Sequence, residues 1–261
     1  MGMSNKEIYR YQWILRNQGY ALTVDGLNGP GTRAAVSAFQ QKVGLSTDGL
    51  LGPNTNAALS SLQPLDRYLS LEKVTEAANA LSATPAHVLS VMSVETDTRK
   101  VGFISNGFPI LRFERHYFYR LLKAAGQDAD SIKAQFPDIC NDVRGGYLGG
   151  EAEYGRLQKA IAVHKDAALQ SASYGLFQIM GSNYRLAGKN SAQELVDSFT
   201  ANEGEHLKGF VSFVTNNPIL RSALAANDWA TFAKGYNGAG YLANQYDTKL
   251  AHAFSLYQAY V

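Results

Sequence analysis

The sequence predicts an all-α protein with a small three-helix domain at its N-terminus and a larger helical domain after it. Residues 5–62 hold two copies of a loop-and-helix pattern. Apolar residues recur at helical spacing over much of the remaining chain, and no segment sustains the apolar–polar alternation of a half-buried strand. The interruptions between the helical patterns are rich in glycine, at 102–107, 145–150, 181–188 and 235–240.

Composition describes an ordinary globular protein and excludes several functions. Of 261 residues, 46% are hydrophobic and 18% are charged, and the formal net charge is +2. That charge is too small for the basic field of a typical nucleic-acid binder. The single cysteine, Cys140, excludes an intramolecular disulfide, and the scattered histidines lack metal-ligand spacing. We therefore expect no nucleic-acid partner, no metal and no cofactor.

No stretch has the apolar length of a membrane span, and residues 1–16 lack the continuous hydrophobic region of a signal peptide. The sequence predicts a monomer that is made and kept in a cytoplasm unless another agent releases it, without stable insertion in the membrane.

The internal repeat organises the first domain. VDGLNGPGTRAAV at 24–36 returns as TDGLLGPNTNAAL at 47–59. The Asp-Gly and Gly-Pro pairs predict a tight loop in each copy, and Thr32 and Thr55 are placed to cap the helices that follow. The paired loop residues are Asp25, Gly26, Asp48 and Gly49.

A polar segment at 63–67 predicts a linker between a first domain at 5–62 and a second at 68–261. Because the linker is short, we expect modest freedom between the domains. In the second domain the apolar pattern predicts helices at 71–82, 85–95, 115–125, 151–171, 191–215, 217–225, 227–235 and 247–260.

The helix at 85–95 ends on a candidate general acid. Pro85 suits the first helical position, and Glu95 follows Val88 by seven residues and Val91 by four, so it projects from the apolar stripe. A carboxyl group held against apolar surface has a raised pKa and can donate a proton near neutral pH. The alternative is a half-exposed Glu whose methylenes cover apolar surface.

Glu114 is the second carboxylate of interest. Glycoside hydrolysis pairs a raised-pKa acid with a carboxylate that acts as base, nucleophile or electrostatic stabiliser. Arg112 and Arg115 flank Glu114 and would keep it ionised. A partly exposed ion pair without a catalytic role is the alternative.

Two turns carry amides and aromatic rings suited to sugars. SASYGLFQIMGSNY at 171–184 contains Tyr174 and Gln178, and FAKGYNGAGY at 232–241 contains Tyr236 and Asn237. Rings stack on sugar faces, and amides offer both donor and acceptor. A single Tyr is more often part of a core.

The loop repeat, together with Gln12 and Gln40, resembles the peptidoglycan-binding domain family that is attached to cell-wall hydrolases. The segments around Val94-Glu95, Phe113-Glu114-Arg115-His116, Ser173-Tyr174-Gly175 and Tyr236-Asn237-Gly238 resemble the N-acetylmuramidase domain of bacteriophage endolysins, which is distantly similar to goose lysozymes and lytic transglycosylases. Such enzymes commonly follow the catalytic Glu with Ser-Gly or Ser-Ala. Here Thr96-Asp97 follows, which places a charge near the acid.

The resemblance implies a lysozyme-like helical domain and a peptidoglycan hydrolase. Glu95 would protonate the glycosidic oxygen, Glu114 would assist, the four turn residues would hold the glycan, and the paired loop residues of the repeat would bind the wall. Two alternatives stay open at this point: a lytic transglycosylase, which needs no second carboxylate and forms 1,6-anhydromuramic ends, and a non-catalytic wall-binding protein.

Overall fold

The structure is a computed structural model that describes residues 3–96 and 101–260, and there the chain is helical with one small sheet. The helices are α1 (Asn5–Asn17), α2 (Pro30–Lys42), α3 (Pro53–Ser60), α4 (Leu71–Ala80), α5 (Pro85–Thr96), α6 (Arg115–Ala124), α7 (Ala129–Gln135), α8 (Ala152–Gln170), α9 (Ala192–Ala201), α10 (Glu203–Thr215), α11 (Pro218–Ala225), α12 (Trp229–Asn237) and α13 (Tyr246–Gln258). The strands are β1 (Leu111–Phe113), β2 (Ala172–Tyr174) and β3 (Ile179–Met180). Across these described ranges, no helix combines the length and the apolar character needed to cross a membrane.

The chain forms two compact units. One consists of Met1–Val101 and Asn217–Val261, and the other of Gly102–Asn216. Helices α1–α5 and α11–α13 belong to the first unit, and α6–α10 with the sheet belong to the second. The first unit thus includes residues on both sides of the predicted linker. The domain boundary at 63–67 stays a prediction.

Helices α2 and α3 begin in the same way. Each has Pro at its first position, where a missing N–H costs nothing, and an extended Gly before it. The prediction that Thr32 and Thr55 cap these helices is wrong, because both lie inside the first turn and are buried. The helices close over a small apolar core formed by Ile8, Leu15, Leu22, Ala35, Val36, Phe39, Leu51 and Leu59.

Side chains of α1 hold the predicted linker and the start of the next segment. The Asn17 amide accepts from the N–H of Leu65 at 2.7 Å and donates to the carbonyl of Tyr68 at 3.2 Å. Arg16 is fully buried, with its guanidinium 3.5 Å from the carbonyl of Leu69 and 4.0 Å from the sulfur of Met92 on α5. The N-terminal helix is therefore tied by buried polar contacts to the chain that follows it.

Helix α5 is the central helix of the first unit. It packs against α4 and α13, and seven consecutive residues, Ala86 through Met92, are buried. This burial on nearly every side confirms the prediction that the helix buries most of its circumference.

In the second unit, the strands form an antiparallel sheet in the order β1-β2-β3. Leu111 pairs with Tyr174, and Tyr174 pairs with Ile179. Phe177 stacks on Phe210 with ring centroids 4.3 Å apart, which anchors the β2–β3 turn to α10.

Three local features differ from the sequence prediction. The helix expected over 191–215 is broken at Asn202, whose extended backbone ends α9 and whose side chain caps α10 through the N–H of Glu205. Helix α7 and the short sheet were not predicted, because segments of this length carry too little periodicity to identify them.

Candidate functional site

In the first unit, Glu95 lies in the last turn of α5 and is half-buried. The amide of Asn237 donates a hydrogen bond of 2.7 Å to its Oε1. Asn237 is the last residue of α12, where Gly238 leaves the helix with φ of 82°. The structure thus joins the ends of two helices that are far apart in sequence through one amide and one carboxylate.

Tyr236 stands beside this pair. Its ring stacks on Phe232 with centroids 5.3 Å apart and planes 13° apart. Burial, with a further contribution from the Glu95 carboxylate, raises the pKa of Tyr236 well above its usual value. Its hydroxyl therefore stays protonated and can donate. Three predicted site residues, Glu95, Tyr236 and Asn237, form one constellation.

In the second unit, Glu114 is buried at the N-cap of α6. The Tyr147 hydroxyl donates to its Oε2 at 2.7 Å, and His116 Nδ1 lies 3.3 Å from the same oxygen. Burial raises the pKa of Tyr147, which keeps that donor protonated. Burial also lowers the pKa of His116, with partial compensation from Glu114, so the imidazole is neutral at neutral pH.

The cation that approaches Glu114 is Arg144, at 3.8 Å from Oε1. The expectation that Arg112 and Arg115 form this ion pair is wrong. Arg115 donates to the carbonyl of Val143, and Arg112 lies over the Tyr147 ring at 5.4 Å. Neighbours in sequence point to different sides where β1 passes into α6, whereas Arg144 comes from a loop about thirty residues later.

A buried ion pair that the sequence analysis missed holds this loop in place. Glu153 and Arg156 are 1% and 2% exposed and lie 2.9 Å apart. Glu153 accepts from the backbone N–H groups of Phe113, Leu148 and Gly149. The pair therefore ties β1 to the glycine-rich loop that carries Tyr147. In the sequence, a Glu and an Arg three positions apart on a helix look like an exposed surface pair.

Tyr174 and Gln178 lie on the small sheet and its turn. Tyr174 is 0% exposed, and its hydroxyl donates to the carbonyl of Leu169 at 3.0 Å. Its side chain therefore has no surface for the sugar contact that the resemblance implied, and its position is that of a core residue. Gln178 is half-buried with φ of 45°, and its amide donates to the carbonyl of Gly175 and accepts from Ser173. Both residues brace the turn.

His206, another residue that the sequence did not single out, supports the same turn from α10. It is fully buried, its Nδ1 accepts from the N–H of Leu176 at 3.2 Å, and its Nε2 lies 2.6 Å from the carbonyl of Phe199. A Cβ at Gly175, where φ is +72°, would lie 2.8 Å from the imidazole. The turn thus requires glycine at that position.

The paired loop residues of the N-terminal repeat are bound to buried glutamines. The Gln12 amide donates to Asp25 Oδ1 at 2.9 Å and accepts from the N–H of Gly26 at 2.7 Å. In the second copy, Gln40 contacts Asp48 at 2.7 Å and the N–H of Gly49 at 2.9 Å. Each glutamine also donates to the threonine of its own copy, Thr32 or Thr55. In both copies, a single glutamine amide thus holds the loop through an equivalent set of hydrogen bonds.

The structure therefore groups the predicted site residues by unit, with Glu95, Tyr236 and Asn237 in the first and Glu114, Tyr174 and Gln178 in the second. Asp97 lies outside the described residues. Within residues 3–96 and 101–260, no three His, Cys, Asp or Glu side chains converge on a possible metal position.

Comparisons with known proteins match two separate segments of the sequence. Residues 84–258 match the family model described as N-acetylmuramidase, and residues 4–59 match that of a putative peptidoglycan binding domain. Among solved structures, the chain is similar to the crystal structure of Burkholderia AP3 phage endolysin, with 38% identity and a TM-score of 0.69. That similarity covers 97% of this chain and 96% of the endolysin chain. A comparison with curated protein sequences gives no match.

The two family matches and the near-complete coverage of the solved structure define the class of this protein as a peptidoglycan-cleaving glycoside hydrolase. The chain belongs to the N-acetylmuramidase family, and its organisation is that of a modular endolysin.

Proposed function

We propose that the protein hydrolyses the glycosidic bond between N-acetylmuramic acid and N-acetylglucosamine, with Glu95 as general acid. The observation that carries this proposal is the 2.7 Å hydrogen bond from Asn237 to Glu95 Oε1 at the meeting point of α5 and α12. An oxygen that accepts from an amide is oriented, so the transferable proton resides on the other oxygen, Oε2.

In this reaction Oε2 gives its proton to the glycosidic oxygen as the bond to the muramic acid C1 breaks. Water then adds to C1 and gives up one proton, which restores the protonated acid, and the product has a reducing muramic end. The protonated hydroxyl of Tyr236 lies beside the acid and can donate to the substrate. The Asn237 Oδ1 is buried and has no partner among the described residues, so it is available to accept from a substrate N–H once the site rearranges around the glycan.

Glu114 is proposed to assist the water or to stabilise oxocarbenium-like charge at C1. Its support is the set of groups around its carboxylate: the Tyr147 hydroxyl, neutral His116 and the Arg144 cation. Gln178 is proposed to act by shaping the turn on which it lies.

The chain is proposed to work as two modules, with 5–62 anchoring the enzyme to the wall, 63–67 as linker and 68–261 as the catalytic part. Asp25, Gly26, Asp48 and Gly49 shape the wall-binding loops, and anchoring raises the local substrate concentration. We further propose that the enzyme acts as a monomer and reaches the wall from the host cytoplasm once another protein breaches the membrane.

Product analysis of digested peptidoglycan tests the catalytic assignment. Glu95→Gln should lower kcat by a factor of about 10² to 10⁴ or more, because the general acid is lost while the side-chain shape is kept. Glu114→Gln should lower kcat as well. Glu76→Gln, on the exposed face of α4, is the matched control and should retain activity.

Mass spectrometry of the same digests reads out the reaction type. Reducing muramic ends support hydrolysis. 1,6-anhydromuramic ends would show a lytic transglycosylase and would remove the need for a second carboxylate. Substantial turnover by a folded Glu95→Gln chain would refute the role of Glu95.

A further inference from the structure

The loop at 143–150, between α7 and α8 in the second unit, presents an aromatic ring to solvent beside the Glu114 carboxylate. Tyr147 is 40% exposed, and the same loop exposes Val143 and Leu148 by 62% and 65%. The proposed chemistry uses only the Tyr147 hydroxyl, which donates to Glu114 Oε2 at 2.7 Å. The exposed ring has no function in that chemistry.

The Tyr147 ring is held at its tip and over its face. Its hydroxyl, besides donating to Glu114, accepts from Arg144 Nε at 3.1 Å. The guanidinium of Arg112 lies over the ring, 5.4 Å from the centroid, in a cation–π contact. A side chain that is already held in one orientation loses little conformational freedom when a ligand packs on it. The ring is therefore preorganised for binding.

The backbone that carries the ring is fixed by a buried carboxylate. Glu153 is 1% exposed and accepts from the N–H groups of Leu148 and Gly149, directly after Tyr147. The loop's glycines all have a left-handed backbone that side chains other than glycine rarely adopt, with φ from 57° to 108°: Gly145, Gly146, Gly149 and Gly150. The loop thus keeps a defined course although three of its side chains are exposed.

A fixed and exposed aromatic ring matches a ligand with a flat apolar face. The C–H face of a pyranose sugar is such a surface, and the hydroxyls at its rim suit the polar surroundings of this ring. A glycan strand that brings its reacting bond to Glu114 must also pass the ring, because the Tyr147 hydroxyl is in hydrogen-bond contact with that carboxylate. The position of the ring therefore favours a sugar next to the bond that is cut.

We infer that the Tyr147 ring is a binding platform for one N-acetylated sugar of the glycan strand, on the face opposite Arg112. Tyr147 then has two separable functions, since its hydroxyl orients Glu114 and its ring binds substrate. The inference rests on the proposed function for the identity of the glycan and for the role of Glu114. It adds a substrate-binding residue on a loop that none of the predicted site residues occupies.

Equilibrium binding tests the ring. Full-length chains that carry Glu95→Gln are titrated by calorimetry with a tetrasaccharide of two N-acetylglucosamine–N-acetylmuramic acid repeats. Tyr147→Leu keeps an apolar side chain but removes the flat ring, and should weaken the affinity by about twofold to tenfold. Tyr147→Phe keeps the ring and should bind as its parent does. The N-terminal module is the same in every chain, so these differences report on Tyr147.

Turnover of purified walls separates the two functions, in chains that retain Glu95. Tyr147→Phe should lower kcat by about threefold to tenfold, the value of one hydrogen bond, without changing KM. Tyr147→Leu should show the same fall in kcat together with a raised KM. A tyrosine that only supports the fold would not divide its effects between kcat and KM in this way.

The matched control is Tyr119→Leu, which makes the same substitution in the same unit. The Tyr119 hydroxyl also donates to a carboxylate, Asp130 at 2.6 Å, and a cation, Lys123, lies 4.7 Å from its ring centroid. This change should leave the affinity for the tetrasaccharide unaltered. Because Tyr147 is exposed, Tyr147→Leu should melt close to its parent, and Tyr147→Gln is the second ring deletion if the leucine chain does not fold.

Three results overturn the inference: parental affinity of a chain without the ring, equal losses from Tyr147→Leu and Tyr147→Phe, or an equal loss from Tyr119→Leu. Failure of the proposed function gives different results. If Glu95 is not the acid, mass spectrometry finds the tetrasaccharide cut after the titration. If Glu114 has no role, Tyr147→Phe keeps the full kcat, and the affinity of Tyr147→Leu still tests the ring.

Discussion

Replacing Asn237 by Asp tests the contact between α5 and α12 through the pH dependence of catalysis. The change substitutes an oxygen for the nitrogen that now donates to Glu95 at 2.7 Å. Two carboxylates at that separation repel by about 1.5 kcal/mol in bulk water and by about 6 kcal/mol at an effective dielectric constant of 20. The proton on Glu95 is then harder to remove, since its loss would create a second negative charge.

The activity of a general acid falls as the pH rises through its pKa, so a higher pKa moves the alkaline limb of kcat/KM upward. The lower repulsion figure corresponds to a shift of about one pH unit, and the higher figure to several. The assay is release of reducing ends from purified walls between pH 4 and 10. A limb that stays at the wild-type position, or that moves down, refutes the assignment of Glu95 as the acid held by Asn237.

Two controls accompany this measurement. Asn244→Asp introduces the same charge at an exposed position of the same unit and should leave the limb in place. Asn237 ends α12, where a negative charge opposes the helix dipole by about 0.3–1 kcal/mol. A small loss of thermal stability is therefore expected for Asn237→Asp, and the pH profile is measured well below its melting temperature.

Two further predictions concern stability, both measured by urea denaturation. Gln40→Ala removes the amide that bonds to Asp48, Gly49 and Thr55, and should lower the free energy of unfolding by about 2–4 kcal/mol. The control is Gln41→Ala at the exposed neighbouring position, which should have little effect. Equal losses from the two variants would contradict the structural role of the Gln40 amide. Arg156→Met leaves the carboxylate of Glu153 buried beside no cation and should cost about 3–5 kcal/mol. Adding Glu153→Gln should recover part of that loss, and an additive double variant would show that the pair is not coupled.

Local signals in the sequence predicted much of the helical framework. A proline at the first position of a helix and an apolar run at helical spacing are properties of a single segment, so α5 and the start of α11 could be placed without tertiary information. The break at Asn202 was missed because the apolar residues on its two sides read as one helix, although Asn202 and Glu205 have the spacing of a capping box. What identifies it is a side chain turned back onto the N–H of Glu205.

The contacts of the site depend on pairings that sequence proximity does not predict. Only the family resemblance could place Glu95 and Asn237 in one site, since 142 positions separate them. For Glu114 the nearest arginines in sequence were the wrong partners, and the actual cation comes from a distant loop. In the N-terminal repeat, Gln12 carries no local mark of its burial, because its function appears only when α1 closes over the first loop.

The buried Arg16 has a consequence for engineering enzymes by module exchange. Its guanidinium lies against the carbonyl of Leu69 and the sulfur of Met92, and over the Trp13 ring at 5.4 Å. A chimera joined at 63–67 would place a foreign surface against α5 and separate this cation from Leu69 and Met92. Functional chimeras of this enzyme should therefore retain the α1 side chains that face the junction. The position at which modules can be exchanged is set by these contacts and not by the linker.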